Sequence, residues 1–181
     1  MLRGELIQLR PIREADLDTY FTCLADISNR GDYFPVNIPA ESRLRKQFQD
    51  GGFWSDDTGL LLIINEAAAI IGHIEFFKPV AYLDGYELSY LIYDPAERGK
   101  GVTSEAVSLL ARYIFDTRKV NRLQLIIHPE NLASRRIADK NGFVHEGTMC
   151  GAWYHRGHYH DVEVYALLRH DYEARRNSQA R

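Results

Sequence analysis

The chain has 181 residues, 45% of them hydrophobic and 26% charged, which is the make-up of one globular domain large enough to bury its own core. A net charge of -3 leaves no basic footprint for nucleic acid, and no apolar run approaches bilayer-spanning length, so no membrane role is expected. Cys23 and Cys150 are too few for a disulfide framework, and with no signal-peptide pattern after Met1 the expected compartment is the cytoplasm. One domain is expected over 1–173, with a flexible polar tail over 174–181.

In chain order, Leu6 to Ile12 reads as a strand. Glu14 to Ala25 carries Leu17, Tyr20, Phe21 and Leu24 at helical spacing. An irregular stretch, Asp26 to Pro39, precedes a second helix over Ala40 to Asp50, ended by Gly51-Gly52. Leu60 to Asn65 and Ala69 to Pro79 form a hairpin pattern, and Tyr86 to Tyr93 follows as a strand after the turn Leu83-Asp84-Gly85. Thr103 to Thr117 has the clearest helical pattern, with Ala106, Val107, Leu110, Tyr113 and Ile114 on one stripe. Arg122 to Ile127 is a strand. Leu132 to Lys140 is a helix, capped by Asn131 and stopped by Gly142. Phe143 to Trp153 and Val162 to Leu168 are late strands around a polar tip, Tyr154 to Asp161. The order β-α-α-β-β-β-α-β-α-β-β implies a mixed α+β fold with one parallel strand pair inside Tyr86 to Gly142.

Arg98-Gly99-Lys100-Gly101-Val102-Thr103 joins a strand to the clearest helix. Glycines let the backbone approach a ligand, and the first amides of a helix lack intrahelical partners, so an anion such as pyrophosphate fits there. A nucleotide-binding P-loop needs G-x-x-x-x-G-K-[ST]; here Lys100 precedes Gly101, and position 94 is Asp. The dinucleotide pattern G-x-G-x-x-G fails because Ser104 occupies the third glycine's place. Taken alone, the segment reads equally as a basic turn that only starts a helix.

The stretch from Tyr86 through Asp94-Pro95 into Arg98 to Ala106 closely resembles the acetyl-CoA site of the GNAT superfamily of acetyltransferases, most of all its RimJ/RimL branch. Arg98 and Gly101 match the family pattern [Q/R]-x-x-G-x-[G/A], whereas Thr103 stands where Gly or Ala is usual. Asn131-Leu132-Ala133-Ser134 matches the branch's N-x-x-S, and Lys140-Asn141-Gly142-Phe143 its helix exit. Element order agrees from Leu6 to Leu168. The resemblance implies a central, mostly antiparallel twisted sheet of about six to seven strands, flanked by about four helices, with a splayed parallel pair. It implies acetyl-CoA as co-substrate and direct transfer of the acetyl group to an amine, with no metal. Leu91, Ile92 and Tyr93 would meet the pantetheine arm and thioester. Arg98, Gly99, Lys100, Gly101, Val102, Thr103 and Ser104 would hold the pyrophosphate, with Asn131 and Ser134 beside the arm and sulfur.

Acyl transfer needs a base for the ammonium, stabilisation of the thioester oxygen and stabilisation of the leaving sulfur. Alternation along Tyr86 to Tyr93 puts Glu87, Ser89, Leu91 and Tyr93 on one face. Glu87 is the first candidate to take the amine proton or hold a cationic substrate, and Glu75 the second. Either could instead be an ordinary strand carboxylate. Ser134 is the candidate donor to sulfur, unless it and Asn131 serve only the helix cap. By the resemblance, the loop of Asp32, Tyr33 and Phe34, together with Tyr154 on the late hairpin, would form the acceptor side. His155, His158, His160 and Asp161 cluster in sequence, but neighbouring side chains at a hairpin tip diverge, so a metal is not expected. Cys150 could be a nucleophile, but direct attack needs none. Expected acceptors are a small-molecule amine or a peptide N-terminus. Oligomeric state is left open, a homodimer included. The competing reading is a GNAT-like module that binds acyl-CoA without turnover.

Overall fold

The computed structural model describes residues 1–179. Its strands are β1 (Leu2–Arg3), β2 (Ile7–Pro11), β3 (Thr58–Asn65), β4 (Ile70–Phe77), β5 (Gly85–Ile92), β6 (Arg122–Ile127), β7 (Val144–His155) and β8 (His158–Leu168). Its α-helices are α1 (Leu17–Ala25), α2 (Glu41–Gly51), α3 (Val102–Thr117), α4 (Leu132–Asn141) and α5 (Arg169–Gln179). The strands make one sheet in the order β1-β2-β3-β4-β5-β6-β8-β7. Among these pairings only β5 and β6 run parallel, joined through α3, since parallel strands need a crossover connection.

β3 shows how one apolar run serves two cores. Leu61 and Ile63 join the cluster under α3, which includes Val107, Leu110 and Ile114. Leu60, Leu62 and Ile64 join a second cluster with Leu17, Tyr20 and Leu24 of α1. A strand covered on both faces has no need of polar alternation.

Four features depart from the sequence expectation. β1 adds an edge strand, with Leu2 opposite Leu9. Glu14–Asp16 is a 3₁₀ turn, and α1 begins only at Leu17. The polar tip is almost entirely strand: β7 and β8 run to a two-residue turn at Arg156 (φ 48°) and Gly157 (φ 90°), the left-handed pair that suits a tight hairpin. The residues expected as a tail from Ala174 continue α5 to Gln179; 180 and 181 lie outside the described residues. The start of α5 is tied down by Arg169, which donates to the carbonyls of Phe115 (2.8 Å), Arg118 (2.7 Å) and Val120 (2.9 Å).

Candidate active site

β5 and β6 pair only at Gly85↔Arg122, Tyr86↔Leu123 and Glu87↔Gln124. Past Glu87, β5 stays with β4, while β6 stays with β8 through Ile127. Each strand follows its outer neighbour, so the twisted sheet opens between them. The opened edges line a cleft of about 860 Å³ that reaches from the Arg98–Thr103 loop to the loop around Tyr33. Leu91 and Ile92 lie on its wall. Tyr93 does not: its ring is buried toward α1, and its hydroxyl lies 2.8 Å from Nδ1 of His73.

One end of the cleft is the start of α3. Gly99 (φ 75°) and Gly101 (φ 87°) both need the left-handed region. Gly101 is the N-cap and offers no side chain, and the first intrahelical bond runs from the Glu105 amide to the Gly101 carbonyl at 3.0 Å. The amides of Val102, Thr103 and Ser104 therefore precede the helical ladder, which is the arrangement that attracts an anion. Arg98, Gly99 and Thr103 line the cleft. The Arg98 guanidinium also donates to the Ile92 carbonyl at 2.9 Å, tying loop to strand end. Lys100 points to solvent and pairs with Glu97 at 3.2 Å. Of the residues expected to hold the pyrophosphate, Val102 and Ser104 turn their side chains inward and leave only their backbone amides at the loop. Val102 is core, and the Ser104 hydroxyl accepts from Asn141 Nδ2 at 3.1 Å between α3 and α4. Position 102 is apolar and 104 small, which is what a helix packed tightly on its neighbour selects.

Two carboxylates line the cleft. Glu75 of β4 sits opposite Ser89 of β5, and Glu87 is two residues from Ser89, on the same face. Gln124 donates to Glu87 at 3.0 Å. Burial pushes the Glu75 carboxyl up; Ser89 opposes this, and the charge of Glu87 adds to it. Burial also pushes Glu87 up, against the opposing Gln124 bond. Both are thus poised to take a proton more readily than surface carboxylates.

Across the gap, Asn131 caps α4 by accepting from the Ser134 amide at 3.1 Å, and both residues line the cleft. Beside Ser134, burial pushes the Tyr90 phenol up to about 12, with the serine slightly opposing.

At the far end, Asp32, Tyr33 and Phe34 line the cleft. Tyr154 does not: it is exposed and packs on Tyr159. Its neighbour Trp153 lines the cleft instead, stacked on His155 at 4.2 Å. Strand alternation makes these two residues alternatives, and the bulge between Met149 and Trp153 decides which faces in. His128, which directly follows β6, stacks on Tyr33 at 4.9 Å. It forms a hydrogen-bonded chain: Glu130 N–H to His128 Nδ1 (3.2 Å), His128 Nε2 to His160 Nδ1 (3.2 Å), and His160 Nε2 to the His155 carbonyl (3.3 Å). His155 Nε2 in turn donates to the Asp32 carbonyl at 2.9 Å, latching the loop to the hairpin. Among the described residues, no group of three or more His, Cys, Asp or Glu side chains is placed to hold a metal.

Arg30 is a further residue that sequence reasoning missed. It is buried, and donates to the carbonyls of Leu24 and Pro35 and to Asn37 Oδ1, setting the shape of the loop around Tyr33. A single Arg in a polar loop gives no signal of this. His128 could have been found from its place at the open end of β6, three residues before Asn131.

Residues 7–144 match the acetyltransferase (GNAT) domain family, and the chain belongs to it. It is an acetyl-CoA-dependent N-acetyltransferase. Among relatives, a probable N-acetyltransferase of Bacillus subtilis, YjcK, is 28% identical over 190 residues, covering 96% of this chain and 99% of that one. The ribosomal-protein-serine acetyltransferase of Escherichia coli is 26% identical over 137 residues, covering 75% of each chain. Among solved structures, the spermidine N-acetyltransferase of Vibrio cholerae, in complex with CoA and spermine, superposes with a TM-score of 0.82 at 19% identity, covering 94% of this chain and 99% of that chain. RimL, a ribosomal L7/L12 alpha-N-protein acetyltransferase in complex with CoA, gives 0.77 at 20% identity, covering 91% and 95%. These two likenesses establish the fold. No helix among the described residues is long and apolar enough to cross a membrane.

Proposed function

We propose that the chain acetylates the primary amine of a small molecule or of a peptide N-terminus in the cytoplasm, and that the cleft between β5 and β6 holds both substrates. The observation that carries this reading is that one cleft joins an open helix N-terminus, an unpaired strand edge and two half-buried carboxylates.

The residues fit acetyl-CoA. The amides at the start of α3, with Arg98 and Lys100 near them, suit the pyrophosphate, and the free edge of β5 suits an extended pantetheine amide. Bound there, acetyl-CoA supplies an acyl carbon activated as a thioester. Backbone amides at the end of β5 stabilise charge on the thioester oxygen. Glu87 takes the ammonium proton, directly or through water, with Glu75 adding negative charge that holds the cation. Asn131 orients the start of α4, and Ser134 donates toward the sulfur. Tyr33, Phe34, Trp153 and His128 wall the acceptor, and Asp32 draws the ammonium inward.

Aromatic walls with few acidic residues favour a compact amine or peptide end over a polyamine. The test is release of CoA from acetyl-CoA over a panel of amines, amino acids, aminoglycosides, polyamines and short peptides, with mass spectrometry of each product. Acetylation of small amines or peptide N-termini is expected. Turnover confined to polyamines would overturn the acceptor assignment.

A further inference from the structure

Tyr90 carries a polar atom that the fold leaves unsatisfied. It pairs with Ile74 across β4, lines the cleft where the strands have parted, and its hydroxyl oxygen is sealed from solvent with no hydrogen-bond partner. Its phenol feels the side chain of Ser134 but does not reach it with hydrogen-bonding geometry. A buried donor without a partner is costly and uncommon in native proteins, and such groups concentrate where function needs them. Ser134 lines the same cleft, its backbone fixed by the bond from its amide to Asn131 Oδ1.

We propose that Tyr90 is a positioning residue for departure of the sulfur: its phenol holds the Ser134 hydroxyl, which donates to the sulfur as the carbon–sulfur bond breaks. The inference rests on the acetyl-transfer reading of this cleft. In the transfer, the amine nitrogen bonds the acetyl carbon and the carbon–sulfur electron pair passes to sulfur. The nitrogen's surplus proton goes to the carboxylate side or to water, and the thiolate takes a proton from solvent on release. Neither hydroxyl changes its proton count. Each supplies a hydrogen bond that strengthens as charge grows on sulfur.

The test is Tyr90→Phe, which keeps the ring and removes only the hydroxyl. Because an unpaired buried group is lost, the melting temperature is expected to stay the same or rise. Turnover is expected to fall about tenfold, with KM for acetyl-CoA changed less than about threefold, the pattern of an interaction made in the transition state. A second readout needs no acceptor. Near pH 9, where a thiol of pKa about 8.5 is largely ionised, the wild type is expected to bind CoA more tightly than desulfo-CoA by calorimetry. Tyr90→Phe, Ser134→Ala and the double variant should all lose that preference to the same extent, since the two hydroxyls act as one unit. An unchanged preference in Tyr90→Phe would overturn the proposal, as would equal weakening of CoA and desulfo-CoA with a lower melting temperature. If the wild type turned over no amine, the acetyl-transfer reading would fail, while the calorimetry would still decide the role of Tyr90.

Discussion

Replacing Gly101 by Asp separates the anion-binding role of the loop from its role in starting α3. The residue sits at φ 87°, where a side chain is strained. Space is not the difficulty, because a Cβ there would meet Leu6 Cδ1 at an ordinary 3.5 Å. The backbone cost is about 1–2 kcal/mol for Ala and less for Asp, whose short polar side chain tolerates the left-handed region. Binding suffers more. A carboxylate at the N-cap faces the position proposed for the pyrophosphate; a charge pair at about 4 Å is worth ~1 kcal/mol in water and ~4 kcal/mol at an effective dielectric of 20. The expected loss of CoA affinity is therefore about 2–5 kcal/mol, roughly thirtyfold to several thousandfold. Gly101→Ala carries the strain without the charge and should lose about tenfold or less. Calorimetric titration with CoA, beside chemical denaturation of each variant, gives both quantities. Equal CoA affinity in wild type and Gly101→Asp would refute the placement of the pyrophosphate.

Glu87→Gln should lower kcat about a hundredfold, the range of a lost general base, while CoA affinity by calorimetry stays near wild type; equal kcat across the pH range would remove Glu87 as the base. Because burial raises the Glu75 pKa, its folded form is favoured when protonated, and that stability is lost as pH rises through the raised value. Glu75→Gln should therefore raise the melting temperature at neutral pH and leave it unchanged near pH 4; a drop at neutral pH would contradict this. His73 runs the other way, since burial and then the Arg30 charge depress it from 6.5 to about 4. Its neutral form contributes stability above about pH 6.5 that is lost as pH falls toward 4, on the order of 3 kcal/mol. Denaturation midpoints should fall across that window in the wild type, and His73→Gln should flatten the slope.

The helix-start loop was legible because its requirements are local. Gly101 must adopt a positive φ, and the apolar stripe from Val102 onward declares the helix that follows. The parallel pair was legible from element order. The end of the cleft around Tyr33 was less so, because its geometry depends on distant partners. Whether Trp153 or Tyr154 faces the cleft is set by a bulge against β8, and no pattern within β7 announces it. The latch from His155 to Asp32 joins residues 123 positions apart. α5 escaped notice because it buries little apolar surface; its contacts include Tyr172 on Phe115, 4.9 Å between ring centres, the carbonyls gathered by Arg169, and the Arg176–Asp116 pair at 2.7 Å. Ser104 divides the two levels: helix periodicity turns its side chain inward, so what it can offer a ligand is its backbone amide.

If acetyl-CoA lies between β5 and β6 as proposed, their early parting makes its supply a determinant of how firmly the sheet is held together. Among the described residues, three strand-paired positions join the two halves of the sheet across that seam. A ligand that bridges the strands binds the native state alone, so each tenfold rise in its concentration above Kd adds about 1.4 kcal/mol to global stability. Amide exchange at Leu91 and Ile127 should slow in step. Loss of a ligand held there would leave the seam looser and more open to proteolysis.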